Sequence, residues 1–187
     1  MFNYVMTLAS VIIGLALAHL MQGIVRLIED PAKVRIWWVH LVWVAFMIFN
    51  SVFWWWFEFE LHSLNVWTFA VYVFVLFYAI VTYMSAAVLF PAQMGGFDSY
   101  EDYFLARRAW FFGLQIIATL IDPVDTALKG RAHLEAMGLE YWIGLPVTVA
   151  LAILGIITRR KSVQAAIAVS YLAWLVSIAV RLFFTVP

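Results

Sequence analysis

The 187-residue sequence contains no cysteine and few charged residues. The absence of cysteine excludes disulfide bonds, thiolate metal sites and cysteine nucleophiles. Charged residues make up 12% of the chain, about half the share with which a soluble domain wets its surface. Eleven Lys and Arg residues are balanced by eleven Asp and Glu residues, so no excess of positive charge attracts nucleic acid. The composition therefore excludes a soluble domain and predicts no nucleic-acid partner.

Long apolar runs take the place of the missing charge, and 66% of the residues are hydrophobic. A helix needs about 20 apolar residues to cross roughly 30 Å of hydrocarbon. Six runs meet this requirement, at residues 4–28, 37–57, 66–90, 105–128, 141–158 and 163–185. We therefore expect an all-α, polytopic membrane protein in which residues 1–187 form a single bundle of six transmembrane helices. Its partner is the lipid bilayer, and we expect that bilayer to be a plasma (inner) membrane.

The fourth run is the shortest in clean apolar residues, and turn signals flank it. Ser99 followed by Asp102 is typical of a helix N-cap, so we expect a short interfacial helix at about 99–108 before the span. Asp122 before Pro123 can also be an N-cap, with Pro123 at the first helical position. This second pattern predicts a short outer helix at about 123–138.

Basic residues cluster on one side of the predicted bundle. Eight of the eleven Lys and Arg residues fall in the loop after span one, before span four or after span five, namely Arg26, Lys33, Arg35, Arg107, Arg108, Arg159, Arg160 and Lys161. Because short cytoplasmic loops are enriched in Lys and Arg, we expect these regions to face the cytoplasm and both termini to face outside. No basic segment precedes the first span, so we do not expect a cleaved signal peptide.

Tryptophan concentrates near the predicted span ends. Eight of the ten tryptophans lie there, namely Trp37, Trp38, Trp54, Trp55, Trp56, Trp67, Trp110 and Trp142. Amphipathic rings settle at the headgroup level, so this pattern predicts an aromatic belt. The Trp54–Trp56 run beside Glu58 and Glu60 leaves open an aromatic cage for a quaternary ammonium ligand. Consecutive helical residues point about 100° apart, however, so the three rings cannot line one pocket.

Span four carries a polar stripe along one helical face. Arg108, Gln115, Asp122 and Lys129 recur every seven residues, with Thr119 and Thr126 between them. Polar groups facing lipid cost several kcal/mol at the bilayer centre, so we expect this stripe to face other helices or water. It either lines a polar cavity or conduction path, or joins packed helices by hydrogen bonds.

Span six offers a cation at a matching depth. Ser177 and Arg181 share a helical face, and Arg181 lies at a depth similar to that of Asp122 and Asp125. We therefore predict an ion pair between Arg181 and Asp122 or Asp125 near the outer mouth. The alternative is that Arg181 extends to the outer headgroups.

Polar residues also occur on spans one and two. His19, Gln22 and Arg26 share a face of span one, and span two carries His40 and Asn50. Imidazoles on two spans at similar depth can ligate haem, bind a metal pair or relay protons. The alternative is a pair of packed, hydrogen-bonded histidines. The sequence itself requires no cofactor.

The segment after span two contains Glu58, Glu60 and His62 in alternation. In an extended conformation these side chains would point the same way and could bind a divalent metal ion. Solvated loop charges are the alternative.

Three functions fit these features. The first is a channel or transporter for a small ion or polar solute, with an acidic outer mouth and a homo-oligomeric assembly. The second is a non-catalytic structural or accessory subunit of a larger membrane complex. The third is an intramembrane redox, haem or metal protein that uses His19 and His40. No HExxH motif or glycine-rich phosphate loop is present, which favours transport over enzymatic activity.

Overall fold

The chain is helical throughout most of residues 1–29, 35–64 and 66–184, the ranges that the computed structural model describes. The helices are α1 (Phe2–Glu29), α2 (Trp38–Glu58), α3 (Phe69–Ala87), α4 (Tyr100–Leu128), α5 (Arg131–Ala136), α6 (Gly138–Ile157) and α7 (Lys161–Phe184). A 3₁₀ helix, Phe59–Ser63, extends α2. These ranges hold no β-strand, so the all-α prediction is confirmed.

Six of these helices are long and apolar enough to cross a membrane within the described residues: α1, α2, α3, α4, α6 and α7. They correspond one to one with the six predicted apolar runs. Lys33 of the predicted loop and Thr185, the last residue of the sixth predicted span, lie outside the described residues. The predicted sidedness is carried into the proposal below.

The six long helices alternate in direction between two ends of the bundle. At one end the Phe2 ring contacts Phe59 and Trp67, with centroid distances of 6.0 and 6.1 Å. We call this the acidic end; it contains residues 59–64, 66–68 and 129–137, the start of α1 and the end of α7. At the opposite, basic end, Lys161 forms a 2.6 Å ion pair with Glu101.

Helix α4 begins where the sequence predicts a cap. The Ser99 hydroxyl oxygen accepts a 3.1 Å hydrogen bond from the Asp102 N–H, and the hydroxyl donates to the Asp102 carboxylate at 2.5 Å. The separate interfacial helix at 99–108 is wrong, because α4 continues without a break for 29 residues. At 1.5 Å per residue α4 is about 43 Å long, so it exceeds the hydrocarbon thickness.

The outer helix predicted at 123–138 is also wrong in its bounds. Pro123 lies inside α4, so Asp122 is not an N-cap. The helix persists because neighbouring helices in a bundle can hold a proline-containing segment through side-chain contacts. Gly130, at φ +117°, then separates α4 from the short helix α5, since a left-handed φ is readily adopted by glycine.

A layer of large aromatic side chains fills the bundle between α2, α4 and α7. The layer consists of Trp43, Phe46, Phe111, Phe112 and Tyr171, all buried. Trp43 lies at its centre, with ring centroids 4.8 Å from Phe111 and 5.2 Å from Tyr171. Helix α6 packs closely on this aromatic layer, because a Cβ atom added at Gly155 would lie 2.4 Å from the Phe112 ring. Close packing of this kind leaves no room for solute through the layer.

The predicted aromatic belt needs a correction at two positions. Trp37 and Trp54 are buried, with 8% and 6% of their surfaces exposed, so they belong to the bundle interior. Five of the other predicted belt residues are exposed on the bundle surface: Trp38, Trp55, Trp56, Trp110 and Trp142. In the Trp54–Trp56 run only the first ring points inward, as the 100° helical rotation requires.

Candidate functional site

A partly open cavity of about 490 Å³ lies between the helices on the acidic side of the aromatic layer. Helices α2, α3, α4, α6 and α7 form its wall, and Phe46, Met47 and Tyr171 bound it where it meets the aromatic layer. Its volume lies within the range of small-molecule sites. Most of its wall is apolar, and its charged groups lie toward the acidic end.

Three charged side chains meet at the cavity wall, and we refer to Glu58, Asp125 and Lys129 as the charged cluster. The Lys129 Nζ atom lies 2.5 Å from Asp125 Oδ2 and 3.3 Å from Glu58 Oε1. Asp125 and Lys129 are one turn apart on α4, whereas Glu58 ends α2. The exposed fraction of the side chain is 3% for Asp125, 5% for Lys129 and 1% for Glu58. Solvent therefore screens the charged cluster little.

Two carboxylate oxygens in the charged cluster have no hydrogen-bond partner among the described residues. These atoms are Glu58 Oε2 and Asp125 Oδ1, and both are buried. A buried, ionised oxygen without a donor is costly. The charged cluster therefore has acceptor capacity that its own lysine does not use.

A third carboxylate, that of Asp122, lies one turn before Asp125 and faces the same cavity. Its two oxygens accept hydrogen bonds from the Tyr78 hydroxyl at 3.0 Å and the Tyr141 hydroxyl at 2.7 Å. Helices α3 and α6 therefore hold this carboxylate from opposite sides. Neutral hydroxyl donors stabilise a negative charge on Asp122 without cancelling it.

The other residues of the predicted polar stripe lie in two different parts of the bundle. Gln115 and Thr119 lie at the cavity wall, where Gln115 Nε2 donates to the Met47 sulfur at 3.5 Å. Asn50 of α2 lines the same cavity. Arg108 lies away from it at the basic end, where its Nε donates to the Ile156 carbonyl at 3.0 Å. Arg108 thus satisfies a carbonyl in the last turn of α6.

Arg181 has a different partner from the predicted one. Its guanidinium contacts the Glu140 carboxylate and lies 5.9 Å from the Trp174 ring centroid. The predicted pair with Asp122 or Asp125 is therefore wrong, because tyrosine hydroxyls and Lys129 hold those carboxylates. Ser177 is exposed outside the cavity, and its carbonyl accepts a 3.3 Å hydrogen bond from Arg181.

The histidines on α1 and α2 both bind backbone carbonyls at the end of α3. His19 Nε2 and His40 Nε2 each make a 2.8 Å hydrogen bond, to Phe90 O and Leu89 O. The adjoining carbonyls of this segment accept from Tyr103 and Arg26 in the same way. Four successive carbonyls therefore have side-chain partners, which gives these histidines a structural role. Gln22 is exposed on α1, and its backbone carbonyl accepts a hydrogen bond from Arg26.

The metal site predicted at Glu58, Glu60 and His62 does not form. The segment is helical instead of extended, so these three side chains have separate partners. Glu60 pairs with His133 at 2.7 Å, and His62 bonds to the Phe59 carbonyl at 2.9 Å. No group of three His, Asp or Glu residues within the described ranges could hold a metal ion.

Sequence reasoning missed Tyr78, Tyr141 and Trp54 as cavity residues. Lys129 belonged to the predicted stripe but was not singled out as a site residue. A signal for the tyrosines exists, because a hydroxyl inside an apolar span needs a hydrogen-bond partner and Asp122 needs donors. Their pairing depends on how α3, α4 and α6 pack, which residue spacing within one helix does not specify.

No protein-family model, curated protein sequence or solved structure matches this chain. The geometry of the cavity is therefore the basis for the functional proposal.

Proposed function

We propose that the protein is an integral membrane transporter that binds a small ion or polar solute in the cavity between its helices. The observation that carries the proposal is the burial of the Glu58, Asp125 and Lys129 side chains, with the partly buried Asp122 beside them, at the wall of a cavity between the helices. Ionisable side chains within spans are costly, and they mark solute or ion pathways more often than they stabilise a fold.

The aromatic layer favours a carrier over an open channel. It bounds the cavity on the side of the basic end, and Trp43, Phe111 and Phe112 within it are fully buried. Solute that enters from the acidic end therefore meets a packed barrier. Transport requires the helices to rearrange around the bound solute, as in carriers that alternate access to a central site.

The orientation follows from the basic residues. With the basic end in the cytoplasm, the cavity lies nearer the outer face of a plasma (inner) membrane, and both termini lie outside. The acidic end then attracts cations from the outer medium. The cavity lies within one chain, so in a homo-oligomer each protomer would have its own cavity.

The proposal is tested by reconstituting the full chain into liposomes and measuring currents on a solid-supported membrane. The solutes supplied are charged, namely alkylammonium ions, Na⁺ and K⁺, and small carboxylates. We expect one class to give transient currents that saturate with concentration, as a carrier does. Asp125→Asn should abolish these currents because it removes a buried charge from the charged cluster.

Glu135→Gln is the matched control. Glu135 lies at the same end of the bundle, but its pair with Arg131 is exposed, so its loss should leave the currents unchanged. Currents no larger than those of protein-free liposomes for every solute would contradict transport and favour the accessory-subunit function. Unitary, long-lived conductance steps in a planar bilayer would contradict the carrier and favour the channel.

A further inference from the structure

We propose that Glu58 and Asp125 form a binding site for an organic ammonium ion, and that the Lys129 ammonium group occupies part of this site when no ligand is present. This inference rests on the proposed function, since it names the class of solute that the cavity takes.

The geometry around Lys129 shows that the site already accepts an ammonium group. Its Nζ atom contacts one oxygen of Asp125 at 2.5 Å and one of Glu58 at 3.3 Å. Lysine reaches these oxygens on a flexible four-carbon chain, so its ammonium group can withdraw or share the site at little cost in geometry. The carboxylates come from two different helices, and a cation between them joins α2 to α4.

Two oxygens of the charged cluster lack an N–H donor, which an ammonium ion that enters as Lys129 withdraws would supply. Glu58 Oε2 and Asp125 Oδ1 are buried and have no hydrogen-bond partner in the described part of the chain. Each is a strong acceptor for a charged N–H donor. A primary ammonium ion has three such donors, enough to reach both oxygens and one further acceptor.

The charge of the cavity selects a cation. Among the described residues the Asp122 carboxylate accepts hydrogen bonds only from the neutral hydroxyls of Tyr78 and Tyr141, and the lysine at the cavity wall pairs with Asp125 and Glu58 instead. In a site of low dielectric constant, an unbalanced negative charge attracts a cation strongly. An anionic solute would meet repulsion from the same groups.

The composition of the wall favours an organic cation over a metal ion. Ca²⁺ takes six to eight oxygen ligands, whereas no group of three His, Asp or Glu residues in the described ranges is placed to hold a metal. The rest of the wall includes the rings of Phe53, Trp54 and Trp174. Aromatic and aliphatic surfaces of this kind bury an apolar body attached to the ammonium group, and a ring face also attracts the cation itself.

The inference predicts a ranking of three probes that share one body. These are 2-phenylethylamine, which is cationic at neutral pH, 2-phenylethanol, which is neutral, and phenylacetate, which is anionic. Isothermal titration calorimetry on the full chain in detergent should show saturable binding of the amine. The alcohol should bind at least about tenfold more weakly because it supplies no charged donor, and phenylacetate should not bind.

Substitutions in the charged cluster test the same site. Glu58→Gln and Asp125→Asn should each weaken 2-phenylethylamine binding by about tenfold or more, since each removes a charged acceptor. Glu135→Gln is the matched control, because Glu135 lies at the same end of the bundle but its ion pair with Arg131 is exposed and outside the cavity. The affinity of this control variant for 2-phenylethylamine should equal that of the unmodified chain.

Chemical rescue tests whether the two carboxylates accept a free ammonium ion. Lys129→Ala removes the resident ammonium group, and n-propylammonium replaces the missing atoms from Cγ to Nζ. Saturating n-propylammonium should raise the melting temperature of this variant more than that of the unmodified chain, whereas n-propanol should not. If Lys129→Ala folds only when n-propylammonium is present, that result also supports the site.

Two results would overturn the inference: equal affinity for the amine and the alcohol, or unchanged amine affinity in both Glu58→Gln and Asp125→Asn. Because binding is measured in detergent, it is independent of transport. Amine binding without currents in liposomes would keep the ammonium site and remove the transport function. Currents carried by another solute, without amine binding, would keep the transport function and remove the ammonium site.

Discussion

Single residues at the acidic end differ sharply in how much water screens them. Lys129 and its two carboxylate partners are almost fully buried, whereas Arg131 and Glu135, a few residues further along the chain, form an ion pair with side chains 91% and 68% exposed. Removing one partner of a buried pair leaves the other charge without compensation, whereas an exposed charge regains water. One substitution of the buried lysine and one of the exposed arginine therefore separate the effect of burial from that of charge.

Lys129→Met should lower the free energy of unfolding by about 3–5 kcal/mol, because it leaves Glu58 and Asp125 buried without their cation. Arg131→Met, the matched control, should change it by no more than about 1 kcal/mol. Equilibrium unfolding in mixed detergent micelles measures both values. Equal losses in the two variants would mean that water reaches the charged cluster.

His40 provides a second test at this scale, because its ring is buried against Tyr100 and bonds to Leu89 O at 2.8 Å. His40→Phe keeps the ring shape but removes the donor, so we expect a loss of about 1–3 kcal/mol in the free energy of unfolding. His62→Phe removes a hydrogen bond of similar length at an exposed position and should cost much less. Equilibrium unfolding in mixed detergent micelles measures the loss in each of the two variants. A loss at His40 no larger than that at His62 would contradict the structural role of the histidine.

Among the helices, α4 presents two chemically different faces. Thr119 lines the cavity, whereas the next residue, Leu120, is 62% exposed on the outer surface of the bundle. The chain has no cysteine, so single cysteines can be introduced without removing native ones. Adjacent positions on one helix thus report on opposite faces.

Thr119→Cys should resist a membrane-partitioned maleimide, whereas Leu120→Cys should react with it readily, because only Leu120 lies on the outward face. The extent of labelling is measured by mass spectrometry of the protein in lipid vesicles. Equal labelling at 119 and 120 would contradict the inward orientation of the polar stripe.

Helix α6 approaches the aromatic layer at a residue without a side chain. A Cβ atom at Gly155 would lie 2.4 Å from the Phe112 ring, and Phe112 is fully buried and cannot withdraw freely. Gly155→Ala should therefore lower the free energy of unfolding by about 1–3 kcal/mol through overpacking. Gly14→Ala on α1 is the control, since no atom lies within 4 Å of its added Cβ. A melting temperature equally unaffected in both variants would show that α6 does not pack this closely.

For the whole molecule, the alternating helices place the start of α1 and the end of α7 at the acidic end, opposite most of the basic residues. The distribution of Lys and Arg predicts that this end is outside the cell. A reporter enzyme active only in an oxidising compartment, fused after Pro187, should therefore be active. The same reporter inserted after Arg159, in the turn before α7, should be inactive. The reverse pattern would invert the orientation of the cavity.

The candidate site shows where sequence patterns end. Recurrence every seven residues predicts that Gln115, Asp122 and Lys129 share a face of one helix, because helical geometry is local. Similar depth in the membrane also suggests Arg181 as the partner of Asp122, and that prediction is wrong. Depth within a membrane does not specify azimuth, so residues at equal height can face different neighbours. Tyr78 and Tyr141 occupy the position that Arg181 was expected to take.

By itself the sequence determined the six apolar helices, the cap at Ser99 and the polar face of α4, because hydrophobic length, capping and helical periodicity are properties of contiguous residues. Only the tertiary structure decided that Pro123 lies within α4, that Glu58 joins Asp125 and Lys129, and that the histidines bind the end of α3. These features depend on contacts between helices far apart in the chain. Such contacts arise from the packing of all side chains together, which no single segment encodes.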